Sequence, residues 1–157
     1  MREEMTTSIL PHPELQVVLW LHTELDPPDP QWSAAIQPLV RERRARGLTP
    51  SQLRYIVISD GGAPSATQRA ELFRELHEGQ PVRVAAVTLA LSNPVTRGIA
   101  TAVSWVNPGL RFFQPARFQD ALTYLDLRDL RREIESEYRN MKERLGRVVR
   151  TFDQVSF

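Results

Sequence analysis

Short β-branched runs alternate with helix-length amphipathic segments along most of this chain, and this alternation restricts its fold more than any other feature. Four runs have the composition of buried strands, at residues 15–22, 54–59, 82–89 and 110–113. The segments between them are too long for hairpins, and they predict right-handed helical crossovers between parallel strands. We therefore expect an α/β fold with a four-stranded, mainly parallel sheet built from βα repeats.

Capping residues and prolines mark the starts of the helices between these strands. Asp29 and Pro30 predict a helix that Gly47 ends, because proline fits the first helical turn and glycine readily adopts the left-handed conformation at a helix end. Ser65 predicts the cap of a second helix, and the Ser-Asn-Pro turn at 92–94 predicts a third. The turn that ends at Ser65 and the turn at 92–94 each follow a strand directly, so both turns are expected at the carboxyl edge of the sheet.

The composition is typical of one soluble globular domain. The chain has 157 residues, of which 41% are hydrophobic and 25% charged, with a mean hydropathy of -0.35. Lys and Arg number 20 against 19 Asp and Glu, so the net charge supplies no field that would attract nucleic acid. No apolar run approaches the roughly 20 residues of a membrane helix, and the start does not resemble a signal peptide. We expect a cytoplasmic protein without membrane insertion or a nucleic-acid partner.

The two ends of the chain differ from the repeats between them. Residues 1–13 are polar and close with Pro-His-Pro, a composition that resists regular structure and predicts a flexible leader. The α/β domain is expected over residues 14–126. Residues 127–157 are expected to form a C-terminal helical extension.

This extension carries an amphipathic stripe, with apolar residues spaced three or four positions apart. Its members are Leu127, Leu130, Ile134, Tyr138, Met141, Leu145, Val148 and Phe152. No glycine or proline interrupts residues 116–145, so we expect a long helix, roughly 35 Å from residue 127 to residue 149, that projects from the domain. Folding back over the sheet and pairing with another chain would both bury the stripe. The continuity of the pattern favours self-association or docking of a protein partner.

The order of these elements is shared with a known group of proteins. A buried strand, a helix that begins near Trp32 and three further βα units lead to a closing helix with Ala121, Leu122 and Leu125. From about residue 15 to residue 127, this arrangement resembles the STAS and SpoIIAA-like superfamily, in particular its stand-alone bacterial branch. The resemblance implies a non-enzymatic regulator that docks partner proteins and is often phosphorylated on serine or threonine. Phosphorylated members have an Asp-Ser-Ser-Gly-like turn, whereas residues 59–67 of this chain lack the Ser-Ser pair.

Two turns at the carboxyl edge of the sheet form a candidate site for an anion or a phosphorylated residue. Helix N termini present free N–H groups and a positive dipole end, and a nearby arginine adds a forked donor. The candidate residues are Asp60, Gly61, Gly62, Ser65, Thr67 and Arg69 in one turn and Ser92, Asn93 and Arg97 in the other. The same residues fit a structural role as caps and turn formers, which the sequence favours because every helix needs caps.

No pattern in the sequence indicates a catalytic or metal centre. The chain has no cysteine, and His12, His22 and His77 are scattered without a metal-binding spacing. The Gly-x-Ser-x-Gly motif of hydrolases and the phosphate-binding lysine motif are both absent. We expect no enzymatic activity, no metal and no cofactor.

These patterns lead to one leading hypothesis and one alternative. We expect a non-enzymatic regulatory or scaffold module that acts through protein–protein interaction, with the C-terminal helix as its dimerisation or docking element. The alternative is a domain that binds a small anionic ligand or a nucleotide through the turns at 60–67 and 92–97.

Overall fold

The computed structural model describes residues 2–76, 83–91 and 107–157 and shows one sheet with helices on both faces. The strands are β1 (Met5–Leu10), β2 (Gln16–His22), β3 (Leu53–Ser59), β4 (Ala85–Leu89) and β5 (Leu110–Phe113). The helices are α1 (Asp29–Arg46), α2 (Ala66–Leu76), α3 (Phe118–Leu125), α4 (Arg131–Leu145) and α5 (Arg150–Asp153). The helix expected after the 92–94 turn lies outside the described residues. No helix in the described part of the chain is long and apolar enough to cross a membrane.

The sheet has its five strands in sequential order, from β1 to β5. Strand β1 runs antiparallel to β2, whereas all neighbours from β2 to β5 are parallel. The α/β class is therefore confirmed, but the expected four strands are five because the predicted flexible leader contains β1. Only the two ends of this strand, Met5 and Leu10, are buried, so its sequence lacks the dense apolar pattern of an inner strand.

Each face of the sheet is covered by its own apolar core. Side chains alternate between the two faces along a strand. From β2, Val18 and Trp20 pack with α1 on one face, whereas Leu19 and Leu21 pack with α3 and α4 on the other. Because both faces of the sheet are covered, an inner strand such as β2 needs apolar residues at nearly every position.

The C-terminal segment folds back over the sheet and does not project from the domain. Asp126 has a left-handed conformation with a φ of 58°, and this residue ends α3. A short turn at Arg128–Leu130 leads into α4, which ends at Gly146 with a φ of 61°. The expected continuous helix is wrong because aspartate, with its short polar side chain, tolerates the left-handed conformation without the help of glycine or proline.

The apolar stripe of this segment belongs to the core of its own chain. Its buried members are Leu127, Ile134, Tyr138, Met141, Leu145 and Phe152, and Leu130 is half-buried. The Tyr138 hydroxyl donates a hydrogen bond of 2.6 Å to the carbonyl of Ile56 in β3, and Val148 is the one stripe member that is largely exposed, at 70%. Residues 127–157 thus form a layer of the same domain, and their stripe is not free to serve as the expected docking element.

Candidate functional site

The turn after β3 is joined to the C-terminal segment by Asp60. Its carboxylate accepts hydrogen bonds from the backbone N–H groups of Arg150 at 2.6 Å and Thr151 at 2.7 Å. These N–H groups open α5 and have no partner inside the helix, so Asp60 acts as its cap. The Thr151 hydroxyl also donates to the carbonyl of Ser59 at 2.9 Å. Asp60 therefore stabilises the position of the C-terminal segment on the sheet.

The two glycines of this turn allow it to pass close to the end of β2. Gly61 has a φ of 123°, a conformation that side chains strongly disfavour. Gly62 donates its N–H to the Thr23 carbonyl at 2.9 Å, and a Cβ added at Gly62 would lie 2.6 Å from that oxygen. The Gly-Gly pair is explained by this close backbone approach.

The remaining residues of the turn cap and support α2. The Ser65 hydroxyl accepts from the Gln68 N–H at 3.2 Å, and the Gln68 side chain accepts from the Ser65 N–H at 3.0 Å. This reciprocal pair is a capping box. Arg69 donates to the carbonyl of Pro64 at 2.8 Å, whereas Thr67 is exposed. The contacts of Ser65 and Arg69 are thus those of a helix start.

The second half of the expected anion site falls outside the described residues. These residues are Ser92, Asn93 and Arg97, and His77 is likewise not described. In residues 2–76, 83–91 and 107–157, no group of three or more His, Asp or Glu side chains is arranged to hold a metal ion. Of the expected anion site, the described residues therefore include only the turn at 60–69. Most polar groups of this turn bond to the chain itself.

His22, at the carboxyl end of β2, is part of the aromatic core under α1. Burial lowers the pKa of His22 to about 4, and the nearby Asp26 carboxylate acts in the opposite direction. The imidazole is stacked on Trp20 with ring centres 6.4 Å apart, and its Nδ1 atom has no hydrogen-bond partner in the described structure. This histidine is therefore neutral near pH 7 and contributes mainly to packing.

Strand β1 presents an open edge that the sequence patterns did not reveal. The Thr23 N–H donates to the Glu4 carbonyl at 2.9 Å, and the register of β1 with β2 places these two residues opposite each other. Because backbone groups alternate sides along an antiparallel strand, residues 6, 8 and 10 point toward β2 and residues 5, 7 and 9 point outward. Among the described residues, no group bonds to the outward N–H and C=O groups.

A groove of about 560 Å³ lies between β1 and α1, beside this open edge. Its strand wall includes Met5, Thr7 and Ile9, and its helix wall includes Ala34 and Ala35. The small alanine side chains leave room next to the strand. An open strand edge beside a groove is a known arrangement for binding extended polypeptides, in which the backbone ladder provides affinity and the groove accepts alternate side chains.

The edge at β1 lacks the features by which proteins usually prevent strand pairing. Such features include lysines, prolines, bulges and very short strands. Strand β1 has six residues and contains neither charge nor proline. At the opposite end of the sheet, β5 has four residues and includes Arg111, whose guanidinium lies 5.5 Å from the centre of the Tyr124 ring. Of these two strands, β1 is the one whose sequence suits the addition of another strand.

The fold and this edge define an α/β domain with an open mixed sheet. In comparisons with known proteins, no family model matches the chain, and no curated protein or solved structure matches it either. Membership of the STAS and SpoIIAA-like superfamily therefore stays a prediction from the order of the elements.

Proposed function

We propose that this chain is a protein-interaction module that binds an extended polypeptide segment as an added strand on β1. The observation that supports this function is the row of outward backbone groups at residues 5, 7 and 9, next to the groove along α1. We keep the expectation of a non-enzymatic regulatory or scaffold module. The contact surface, however, moves from the C-terminal stripe to the edge of β1.

The chemistry of the edge favours an extended partner over a compact one. Outward N–H and C=O groups repeat at every second residue, and a second extended backbone matches this spacing along its whole length. A compact surface pressed against the same edge would bury polar groups without partners, which costs free energy. Every second side chain of the added strand would enter the groove beside Met5 and Ile9, so small or β-branched apolar residues suit it best.

Strand β1 is also anchored by side-chain contacts to the C-terminal layer, which favours binding. The Ser8 hydroxyl donates to Glu137 of α4 at 2.8 Å, and Arg147 donates to the Glu4 carboxylate at 2.8 Å. These two contacts fasten β1 to the C-terminal layer near both of its ends. A strand that is already ordered loses little conformational entropy when a partner binds.

Hydrogen exchange with a strand-forming peptide tests this function. The probe is a six-residue peptide of alternating Thr and Val with blocked ends, added to the full chain at a concentration at which the chain sediments as a monomer. We expect the amides of Met5, Thr7 and Ile9 to exchange quickly in the free chain and to become protected when the peptide binds.

The control is the same peptide with every backbone nitrogen methylated, which removes the hydrogen-bond donors on both of its edges and leaves the side chains unchanged. This peptide should not protect the β1 amides. Protection that is equal for both peptides, or that occurs elsewhere on the chain, would refute strand addition.

A further inference from the structure

We propose that the strand added to β1 is β1 of a second copy of this chain, so that two five-stranded sheets join into one across a two-fold axis. This inference rests on the proposed function, because it names the partner of the same edge. It goes further in that the partner's sequence, register and symmetry are all specified.

Of the registers that symmetry and backbone direction allow, the one centred on Thr7 pairs all three outward residues of β1. A two-fold axis normal to the sheet keeps each face on its own side, so a residue must oppose one that points to the same face. The outward residues 5, 7 and 9 are arranged symmetrically about Thr7. An axis at Thr7 opposes Thr7 to itself and Met5 to the second copy's Ile9, and each such pair exchanges two backbone hydrogen bonds. Pro11 has no N–H and limits the ladder beyond this stretch.

The side chains of β1 are compatible with their own copies in this register. On the α1 face, Met5 lies opposite Ile9, which is an apolar pair, and Thr7 lies opposite Thr7, which is a hydroxyl pair. On the α4 face, Thr6 lies opposite Ser8. Because β1 contains no charged residue, no like charges meet within its ladder.

The charges on α4 are also complementary across the proposed axis. Helix α4 runs antiparallel to β1, since Glu137 bonds to Ser8 and Arg147 bonds to Glu4. Arg144 lies 3.3 Å from Glu137 on the same side of the helix, and its side chain is 53% exposed. Measured along the strand, the level of Thr7 and therefore of the axis falls between these two residues. The axis therefore brings the Arg144 end of one copy toward the Glu137 end of the other, which favours a second copy over an unrelated strand.

A single cysteine tests the partner and the register together, because the chain has no native cysteine. In Thr7→Cys, the two copies of residue 7 would form a hydrogen-bonded pair with Cα atoms about 5.5 Å apart, within the range that a disulfide spans. We expect oxidised Thr7→Cys to run as a covalent dimer on a non-reducing gel. Val148→Cys is the control for random collision, because residue 148 is 70% exposed and is not part of β1. Cross-linking of Ser8→Cys in place of Thr7→Cys would overturn the Thr7-centred register.

Sedimentation velocity tests the association itself. The full chain should shift from monomer to dimer as its concentration rises, and Thr7→Lys should raise the dimer dissociation constant by about tenfold or more, because two lysines would lie directly opposite each other. Thr123→Lys is the matched control, since Thr123 is exposed on α3 and is not part of β1. The urea midpoint of each variant shows that it is folded.

The outcomes separate this inference from the proposed function. A chain that stays monomeric at every concentration but still binds the Thr-Val peptide at β1 would overturn the second copy as partner and leave strand addition intact. A monomer that binds no peptide would overturn both. A dimer that is insensitive to Thr7→Lys and gives no Thr7→Cys cross-link would overturn pairing through β1.

Discussion

Replacing Met141 with alanine tests whether the C-terminal stripe is core of a single chain. The Met141 side chain has no exposed surface and packs in the core between α4 and the sheet. Its truncation removes apolar contacts and leaves a cavity, a change that costs about 2–5 kcal/mol of unfolding free energy. For a chain of this length, a loss of about 3 kcal/mol lowers the Tm by roughly 6–12 °C.

The assay is urea unfolding followed by tryptophan fluorescence, at two protein concentrations that differ about tenfold. The contacts of Met141 lie within one chain, so the destabilisation caused by Met141→Ala should be equal at both concentrations. Val148→Ala is the control from the same stripe, and it should change the unfolding free energy by no more than about 0.5 kcal/mol because its side chain is 70% exposed. A near-neutral Met141→Ala, or a destabilisation that disappears on dilution as for a stripe buried between chains, would refute the packing described above.

Three further predictions concern the pH dependence of stability, the cap of α5 and which backbone N–H groups of β1 point toward β2. Burial lowers the pKa of His22 from 6.5 to about 4, so the unfolded chain binds a proton at a higher pH than the folded chain does. The unfolding free energy should therefore drop by about 3 kcal/mol as the pH falls from 6.5 to about 4. Urea midpoints measured over this range should show a smaller drop in His22→Gln, and an identical profile would contradict the assignment. Asp60→Ala should cost about 1–2 kcal/mol in urea unfolding through the lost cap of α5, whereas the exposed Asp129→Ala should be nearly neutral; equal effects would contradict the capping role. Thr6→Pro should destabilise the chain by about 1–3 kcal/mol more than Thr7→Pro, because the residue 6 N–H points into the sheet; the reverse order in thermal unfolding would contradict the outward direction of residue 7.

The inner strands were predictable because both of their faces are covered. Residues 15–22 and 54–59 were expected as strands, and the structure has Gln16–His22 and Leu53–Ser59. The run at 82–89 was expected to be longer than β4, which begins at Ala85. A strand buried on both faces needs apolar residues at nearly every position, so its composition alone is informative.

Helix ends were predictable where the signal is local. Gly47 ends α1 with a φ of 64°, as expected, and Ser65 caps α2. Asp29 was expected to cap α1, but the helix begins at Asp29 itself, and Pro28 occupies the cap position without a side-chain cap bond. At Asp126, by contrast, the break is caused by a residue that is compatible with both a helix and a turn, so the sequence favoured a continuous helix.

One part of the candidate site was predictable from the sequence and another part was not. The structural role of the 60–69 turn was weighed from the sequence, and the bonds of Ser65 and Asp60 agree with it. The edge of β1 was not found, because polar threonines and a serine resemble a loop when they are read without their neighbours. Alternation of Thr7 and Ile9 with residues of the opposite face is its only signal, and that signal is weak over so short a strand.

The sequence alone determines the α/β layer structure of this chain, the approximate positions of its inner strands and several of its helix caps. These features depend on residues close together along the chain, through side-chain periodicity and the bonding of individual turns. Only the tertiary structure decides that β1 completes the sheet, that Asp126 turns the chain, and that the C-terminal stripe covers the sheet of its own molecule. The periodicity of an amphipathic segment shows that it must be buried, but the burying surface is selected by the total free energy of contacts between distant residues.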